Sequence, residues 1–224
     1  MTLKNILFSI TFINLLISCS NSSDSKKQLI TDSIDIQNSH VVSYSDSSKQ
    51  LETKAHHDKI ELTKLIQNMY IWLDSSDNRT PDFSVIGNDS LFTGINKELL
   101  DQRLNEMRES NLFAPTFIDN YKNIALTIDK ELSEGSLIYH KGYYPPYGSE
   151  ASPWCNCQDT PENIENIEIA ILEIDNDIAT FYWTIPNKIY WDNFSYVVQT
   201  KKIDKVWKIS FLEGLDSTKF FGEK

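Results

Sequence analysis

Between Gly135 and Ile167 the hydrophobic period of this chain changes, and that change restricts the available folds more than any other feature. Upstream, apolar residues recur every three or four positions. From Asp58 to Leu73, the side chains Leu62, Leu65, Ile66, Met69, Tyr70 and Leu73 hold the spacing of a helix that buries one face. Asn96 to Ser110 carries a narrower stripe of Leu99, Leu100, Leu104 and Met107. Pro115 suits the first turn of a third helix, which sets Phe117, Tyr121, Ile124, Ala125, Ile128 and Leu132 on one side and stops near Gly135. Downstream the period is two. Ile167, Ile169 and Ile171 alternate with Glu168, Ala170 and Leu172; Ala179, Phe181, Trp183 and Ile185 alternate with Ile178, Thr180, Tyr182 and Thr184. Phe194, Tyr196 and Val198 share the next face, and Trp207, Ile209 and Phe211 alternate with Lys208 and Ser210. The turn residues Asp175-Asn176-Asp177 and Asp204-Lys205 join these runs into an antiparallel meander. Helices first and strands afterwards predict an α+β domain. Its core is expected to hold Tyr70, Phe117, Ile128, Phe181, Trp183, Tyr196 and Trp207.

The N-terminus is built differently. Lys4 supplies a small positive charge, and Ile6 to Leu16 is apolar but for small polar residues and Asn14. A membrane-spanning helix needs about 20 apolar residues, whereas a signal peptide needs fewer. The stretch ends in Leu16-Ile17-Ser18-Cys19, which resembles the bacterial lipobox: an aliphatic residue, a tolerant position, a small residue, then cysteine. The resemblance implies cleavage after Ser18 and a lipid on the Cys19 thiol, so that residues 1–18 are a signal peptide and the membrane is reached through Cys19. Ser20 in place of aspartate favours the outer membrane of a Gram-negative bacterium. Residues 19–56 are polar, rich in Ser, Asp, Asn and Lys, and read as a flexible tether, because they bury too little apolar surface to offset ordering entropy. Residues 57–224 are then one domain of about 165 residues, enough for a proper core.

Charge excludes some partners. The chain carries −11, and removing Lys4 with the signal leaves −11 − 1 = −12. Nucleic acids and anionic membrane surfaces are poor electrostatic partners for such a chain.

Tyr70-Ile71-Trp72-Leu73 in the first helix and Val206-Trp207-Lys208-Ile209 in the last strand resemble the entry helix and closing strand of small Gram-negative lipoproteins with the nuclear transport factor 2-like fold. The resemblance spans Asp58 to Leu212 and rests on element order more than on motif. It implies N-terminal helices packed into a curved antiparallel β-meander, a cone with one open end. The stretch from Tyr139 to Gln158 departs from a compact version of that fold. Enzymes of the fold hold an Asp or His inside the cone beside a Tyr or second acid. Here Tyr121 lies on the buried helix face, Asp129 is placed at the rim, and Thr180, Tyr182, Thr184 and Tyr196 offer donors without an acid. No catalytic residue is assigned on this basis.

Two further features carry chemistry. Cys155 and Cys157 stand one residue apart in Trp154-Cys155-Asn156-Cys157. In an oxidising compartment they are disulfide candidates, although a bridge needs Cα atoms about 4.4–6.8 Å apart with converging side chains. Inert thiols and a redox couple are the alternatives; a zinc site would need more ligands than His140 adds, and His56-His57 diverge without partners. No metal or cofactor is expected. Tyr139 to Gly148 packs four tyrosines, two prolines and two glycines into ten residues. Tyrosine gives contact area at low entropic cost, so Tyr143, Tyr144 and Tyr147 are candidate binding residues, with Tyr182 and Tyr196 at the neighbouring mouth; the alternative is a lid folded onto the domain's own core. The sequence therefore predicts a non-enzymatic domain that binds an envelope protein or a small apolar ligand. A small cone-type isomerase or hydrolase, and an immunity or inhibitor protein against an envelope-acting toxin, are the competing readings.

Overall fold

The computed structural model describes residues 44–75, 81–148, 151–158, 161–186 and 196–221. The segment expected to be a signal peptide, Cys19, the first part of the expected tether and Phe194 lie outside them. Among the described residues the chain is α+β, with three α-helices and two open antiparallel sheets.

Helix α1 (Tyr44–Asp74) begins upstream of the expected Asp58 and takes in His57 and the last part of the segment read as tether, which ends at His56. Its buried face is Leu62, Leu65, Ile66, Met69 and Tyr70. The strands β1 (Val85–Gly87) and β2 (Leu91–Ile95) follow, then α2 (Lys97–Ser110) and α3 (Pro115–Glu134). Local chemistry sets these helix ends. Asn96 caps α2 by accepting the Leu99 N–H at 3.2 Å, and Asn111 closes it in the left-handed conformation. Pro115 opens α3, and Gly135, with φ of 73°, lets its N–H reach the Leu132 carbonyl.

Strand β3 (Tyr139–His140) pairs with β2, completing a three-stranded sheet in the order β1-β2-β3. Alternation over so few residues gives little periodic signal, and this sheet was not expected. Its anchor is Asp129 of α3, whose carboxylate accepts the Ile95 N–H at 2.9 Å and pairs with Lys97 at 3.2 Å. A Cβ on Gly94 would come within 2.9 Å of the same carboxylate, so any larger residue there would have to displace the Asp129 side chain from its bond to Ile95.

The larger sheet is the expected meander, β4 (Glu168–Asp175), β5 (Ile178–Thr184), β6 (Tyr196–Ile203) and β7 (Val206–Leu212), in sequential order. Asp204 and Lys205, both at positive φ, make the two-residue turn between β6 and β7. Its inner face, with Ile169, Ala179, Phe181, Trp183, Tyr196, Val198, Trp207 and Ile209 buried, packs on α1 and α3. The seven side chains expected in the core are all buried. One detail differs. The register shifts between Gln199 and Thr200, so that Thr200 faces Ile209 while Gln199 faces Phe211. Ser210 is the extra residue, and beyond it the faces exchange: Leu212 is buried and Phe211 only partly so. The free side of β7 is partly covered, since Ala114 donates to the Ile209 carbonyl at 2.8 Å and Ile209 to that of Leu112 at 2.9 Å.

One ionic contact ties α1 to this sheet. Asp58, 3% exposed, accepts hydrogen bonds from Lys202 Nζ at 2.8 Å and Trp207 Nε1 at 3.0 Å, and the Lys202 ammonium also sits 4.5 Å from the centre of the Trp207 ring.

Candidate functional site

The five tyrosines proposed from sequence do not converge. Tyr143 and Tyr144 are 75% and 78% exposed at the tip of the segment after β3. The segment's ends are fixed to the domain: Lys141 donates to the Ser90 carbonyl at 3.1 Å, and Gly148 donates to that of Phe220 at 2.7 Å. Tyr147 is half-buried between Tyr139, edge-on at 6.0 Å, and Phe220, stacked at 6.2 Å. Burial pushes the Tyr147 phenol well above its usual pKa, with Tyr139 adding to the effect, so the ring acts as packing with a neutral hydroxyl. Phe220 leans on Phe83, and Phe83 stacks on Tyr121, so an aromatic series runs from the segment's base into the core. The Tyr139–Tyr147 segment therefore combines lid and projection: Tyr147 is lid, while Tyr143 and Tyr144 project.

The two sheet tyrosines sit elsewhere. Tyr182 pairs with Val197 and is half-buried; Tyr196 pairs with Trp183 and is buried, so the pleat sets them on opposite faces. Tyr196 donates to the Pro153 carbonyl at 2.6 Å and accepts the Gly214 N–H at 3.1 Å. Burial raises its pKa, and this outweighs the opposing Gly214 hydrogen bond. These contacts give Tyr196 the role of a fastener for residues 151–158.

That loop is the main surprise. Cys155 and Cys157 are joined in a disulfide, their Cα atoms 5.1 Å apart, and the loop buries Trp154, 3% exposed, against α1 and α3. The Trp154 ring meets Trp72, Phe113, Phe117 and Tyr121, and its carbonyl accepts from Tyr70 at 3.1 Å. Its indole N–H donates to Asp82 Oδ2 at 2.6 Å, while Asp82 Oδ1 accepts from Tyr121 at 2.6 Å and Arg103 at 3.3 Å. Arg103 is 5% exposed, lies 4.4 Å from the Trp72 ring centre and reaches Glu106 at 3.5 Å. Burial, then the charge of Asp82, hold the Tyr121 phenol well above its usual pKa. Phe83, next to Asp82, adopts φ of 48°, an uncommon conformation for a residue with a Cβ.

Sequence reasoning passed over Asp82, Arg103 and Glu106. Arg103 did leave a trace, as a cation on the Leu100, Leu104 and Met107 stripe, but Asp82 sits in an irregular stretch where spacing carries no information. Asp82 beside Tyr121 is the acid–phenol pairing that an enzyme reading requires. A general base, however, needs an oxygen within reach of a substrate proton. Asp82 Oδ1 accepts two hydrogen bonds and Oδ2 one, and the side chain is 25% exposed, so the group belongs to a polar network at the edge of the core.

A surface cleft opens beside this loop. It is lined by Gly148, Asn156, Glu213, Gly214, Asp216, Lys219 and Phe220. Gly214 is required there, because a Cβ would come within 2.2 Å of the Pro153 carbonyl. Among the described residues no group of three or more His, Cys, Asp or Glu side chains is placed to hold a metal ion, and no helix is long and apolar enough to cross a membrane. No protein-family model, curated protein or solved structure matches the chain.

Proposed function

We propose that this chain is an envelope lipoprotein whose domain binds a protein partner through the tip of the Tyr139–Tyr147 segment and performs no reaction of its own. The observation that carries this reading is the contrast within ten residues: two tyrosines about three-quarters exposed, on a segment fastened at both ends. Exposed aromatics on a fixed base lose little conformational freedom on binding, which is the condition under which contact area becomes affinity. The net charge of −11 favours a basic partner, through electrostatic steering more than through contact energy. The partner class includes a basic toxin or envelope hydrolase held in check. A small apolar ligand fits less well, since Tyr143 and Tyr144 are exposed at a projecting tip.

In this reading the lipid on Cys19 holds the protein to the outer membrane, and the domain is a nuclear transport factor 2-like cone. Helices preceding a sequential antiparallel meander, with α1 and α3 on its inner face, support the cone. The anchor rests on the lipobox-like Leu16-Ile17-Ser18-Cys19. Each buried CH₂ of an acyl chain contributes about 0.8 kcal/mol, so two or three chains hold a protein durably. Cys19→Ala is expected to move the protein out of the detergent phase or to leave it uncleaved. Mass spectrometry of a mature chain with an unmodified Cys19 would end the anchor proposal.

The binding test separates tip from lid. Tyr143→Ser combined with Tyr144→Ser is expected to leave the melting temperature within about 2 °C of the parent, because exposed positions contribute little to stability. It should also abolish photo-crosslinking from the segment to the envelope protein captured by the parent domain. Tyr147→Ser alone should instead destabilise, through its lost packing on Phe220. Undiminished capture by the double variant would place the binding surface elsewhere. A substrate turnover lost on Asp82→Asn would replace this reading with the enzyme one.

A further inference from the structure

We propose that Cys155 and Cys157 form a reversible dithiol–disulfide couple, with Cys157 the sulfur that exchanges with a dithiol partner and Cys155 the buried resolving sulfur. Stabilisation by a disulfide grows with the length of the loop it closes, and this bridge closes almost the shortest loop a chain allows. The bond is therefore a poor fit to a purely stabilising role. The loop is held without it. Asn156 N donates to the Ser152 carbonyl at 2.8 Å and Ser152 N to that of Cys157 at 2.9 Å. Tyr70 and Tyr196 grip the carbonyls of Trp154 and Pro153, and Trp154 is packed among aromatic rings. Opening the bridge leaves these contacts in place, so the two sulfurs stay within reach of each other and the bond re-forms.

The two sulfurs differ in access. Cys155 is buried, whereas Cys157 is partly exposed. The residue between them, Asn156, lines the cleft formed with Glu213, Gly214, Asp216 and Lys219, so a partner's cysteine-bearing segment seated there would lie one residue along the chain from Cys157. Asn156 has φ of 52°, a conformation asparagine adopts more readily than most residues, so the turn presenting the bridge is set by the backbone. Exchange runs in two displacements. A thiolate of the partner attacks Cys157 Sγ, the Cys155–Cys157 bond breaks, and Cys155 leaves with the electron pair and takes up a proton. The partner's second thiol, losing its proton, then attacks the partner's own sulfur in the mixed disulfide, and Cys157 leaves with the electron pair and takes up that proton. The partner dithiol is oxidised to a disulfide and this chain is reduced to two thiols; the reverse sequence restores the bridge.

Dithiothreitol and oxidised glutathione serve as the probes, applied to the detergent-solubilised full chain in a Cys19→Ala background so that only these two cysteines react. Millimolar dithiothreitol in native buffer is expected to reduce the bridge completely, with near-native circular dichroism, and oxidised glutathione to restore it. With Cys155→Ser, Cys157 should form the glutathione mixed disulfide at least tenfold faster than Cys155 does with Cys157→Ser. Reduction only in denaturant, loss of the folded signal on reduction, or equal rates for the two single variants would each overturn the proposal.

Discussion

Trp154→Ala is expected to lower the stability of the domain by about 3–5 kcal/mol, the range for removing a large aromatic side chain from a packed core. The corresponding fall in melting temperature for a domain of this size is about 6–20 °C. The cost has two sources. The ring's contacts with Trp72, Phe113, Phe117 and Tyr121 are lost together, and Asp82 Oδ2 loses its 2.6 Å donor in a partly buried site. Trp154→Phe separates them. It keeps an aromatic ring in the site while deleting three ring atoms, the indole N–H among them, so it should cost about 1–3 kcal/mol, less than the full truncation. Urea denaturation of the two variants measures both quantities. A loss below 1 kcal/mol for Trp154→Ala would show that residues 151–158 do not dock in solution as they do here, and would remove the scaffold on which the Cys155–Cys157 couple depends.

Trp154 also marks where sequence reasoning stops. Elements longer than two turns or five residues announce themselves through period: Leu62 to Tyr70, Phe117 to Leu132 and Ala179 to Ile185 are buried on the faces their spacing indicates. Their register is nearly as legible, because a strand with one buried face cannot slip by one residue without exchanging its side chains. Ser210 shows the limit of that rule, since a single extra residue reverses the face beyond it and nothing in Trp207-Lys208-Ile209-Ser210-Phe211-Leu212 signals which residue is extra.

The candidate site is less legible, for a related reason. Tyr143 and Tyr144 were recognisable because a cluster of tyrosine, proline and glycine has a composition unlike core or strand. Whether each tyrosine projects or packs depends on Phe220, more than seventy residues away along the chain, and no local pattern records that contact. The same holds for Asp82, whose three donors come from α2, α3 and the disulfide loop. Periodicity reports what one element buries; it carries no information on which distant side chains meet there.

The second large effect concerns acid. Asp58 sits at the junction of α1 with β6 and β7, and its pKa reflects competing influences. Burial raises it, but the hydrogen bonds from Lys202 and Trp207, together with the charges of Lys202 and Lys54, prevail and hold it below the usual aspartate value. A carboxyl whose pKa is depressed on folding adds stability that is fully present above its unfolded pKa of about 3.9, and that is lost as pH falls through the folded value. At neutral pH, Asp58→Asn should therefore destabilise the domain by about 2–3 kcal/mol; breaking a fully buried pair costs about 3–5 kcal/mol, and Lys202 retains some contact with water here. As pH is lowered from 5 towards 2, protonation removes the same charge from the parent, so the two stabilities should converge. Lys202→Met, which removes the cation and keeps the stem over Trp207, should leave a buried acid that prefers to be neutral and so shift stability towards lower pH. Parallel melting curves for the parent and Asp58→Asn from pH 7 to pH 2 decide the matter. A constant gap across that range would mean that the Asp58 charge contributes nothing and that the residue acts only as a hydrogen-bond acceptor for Trp207.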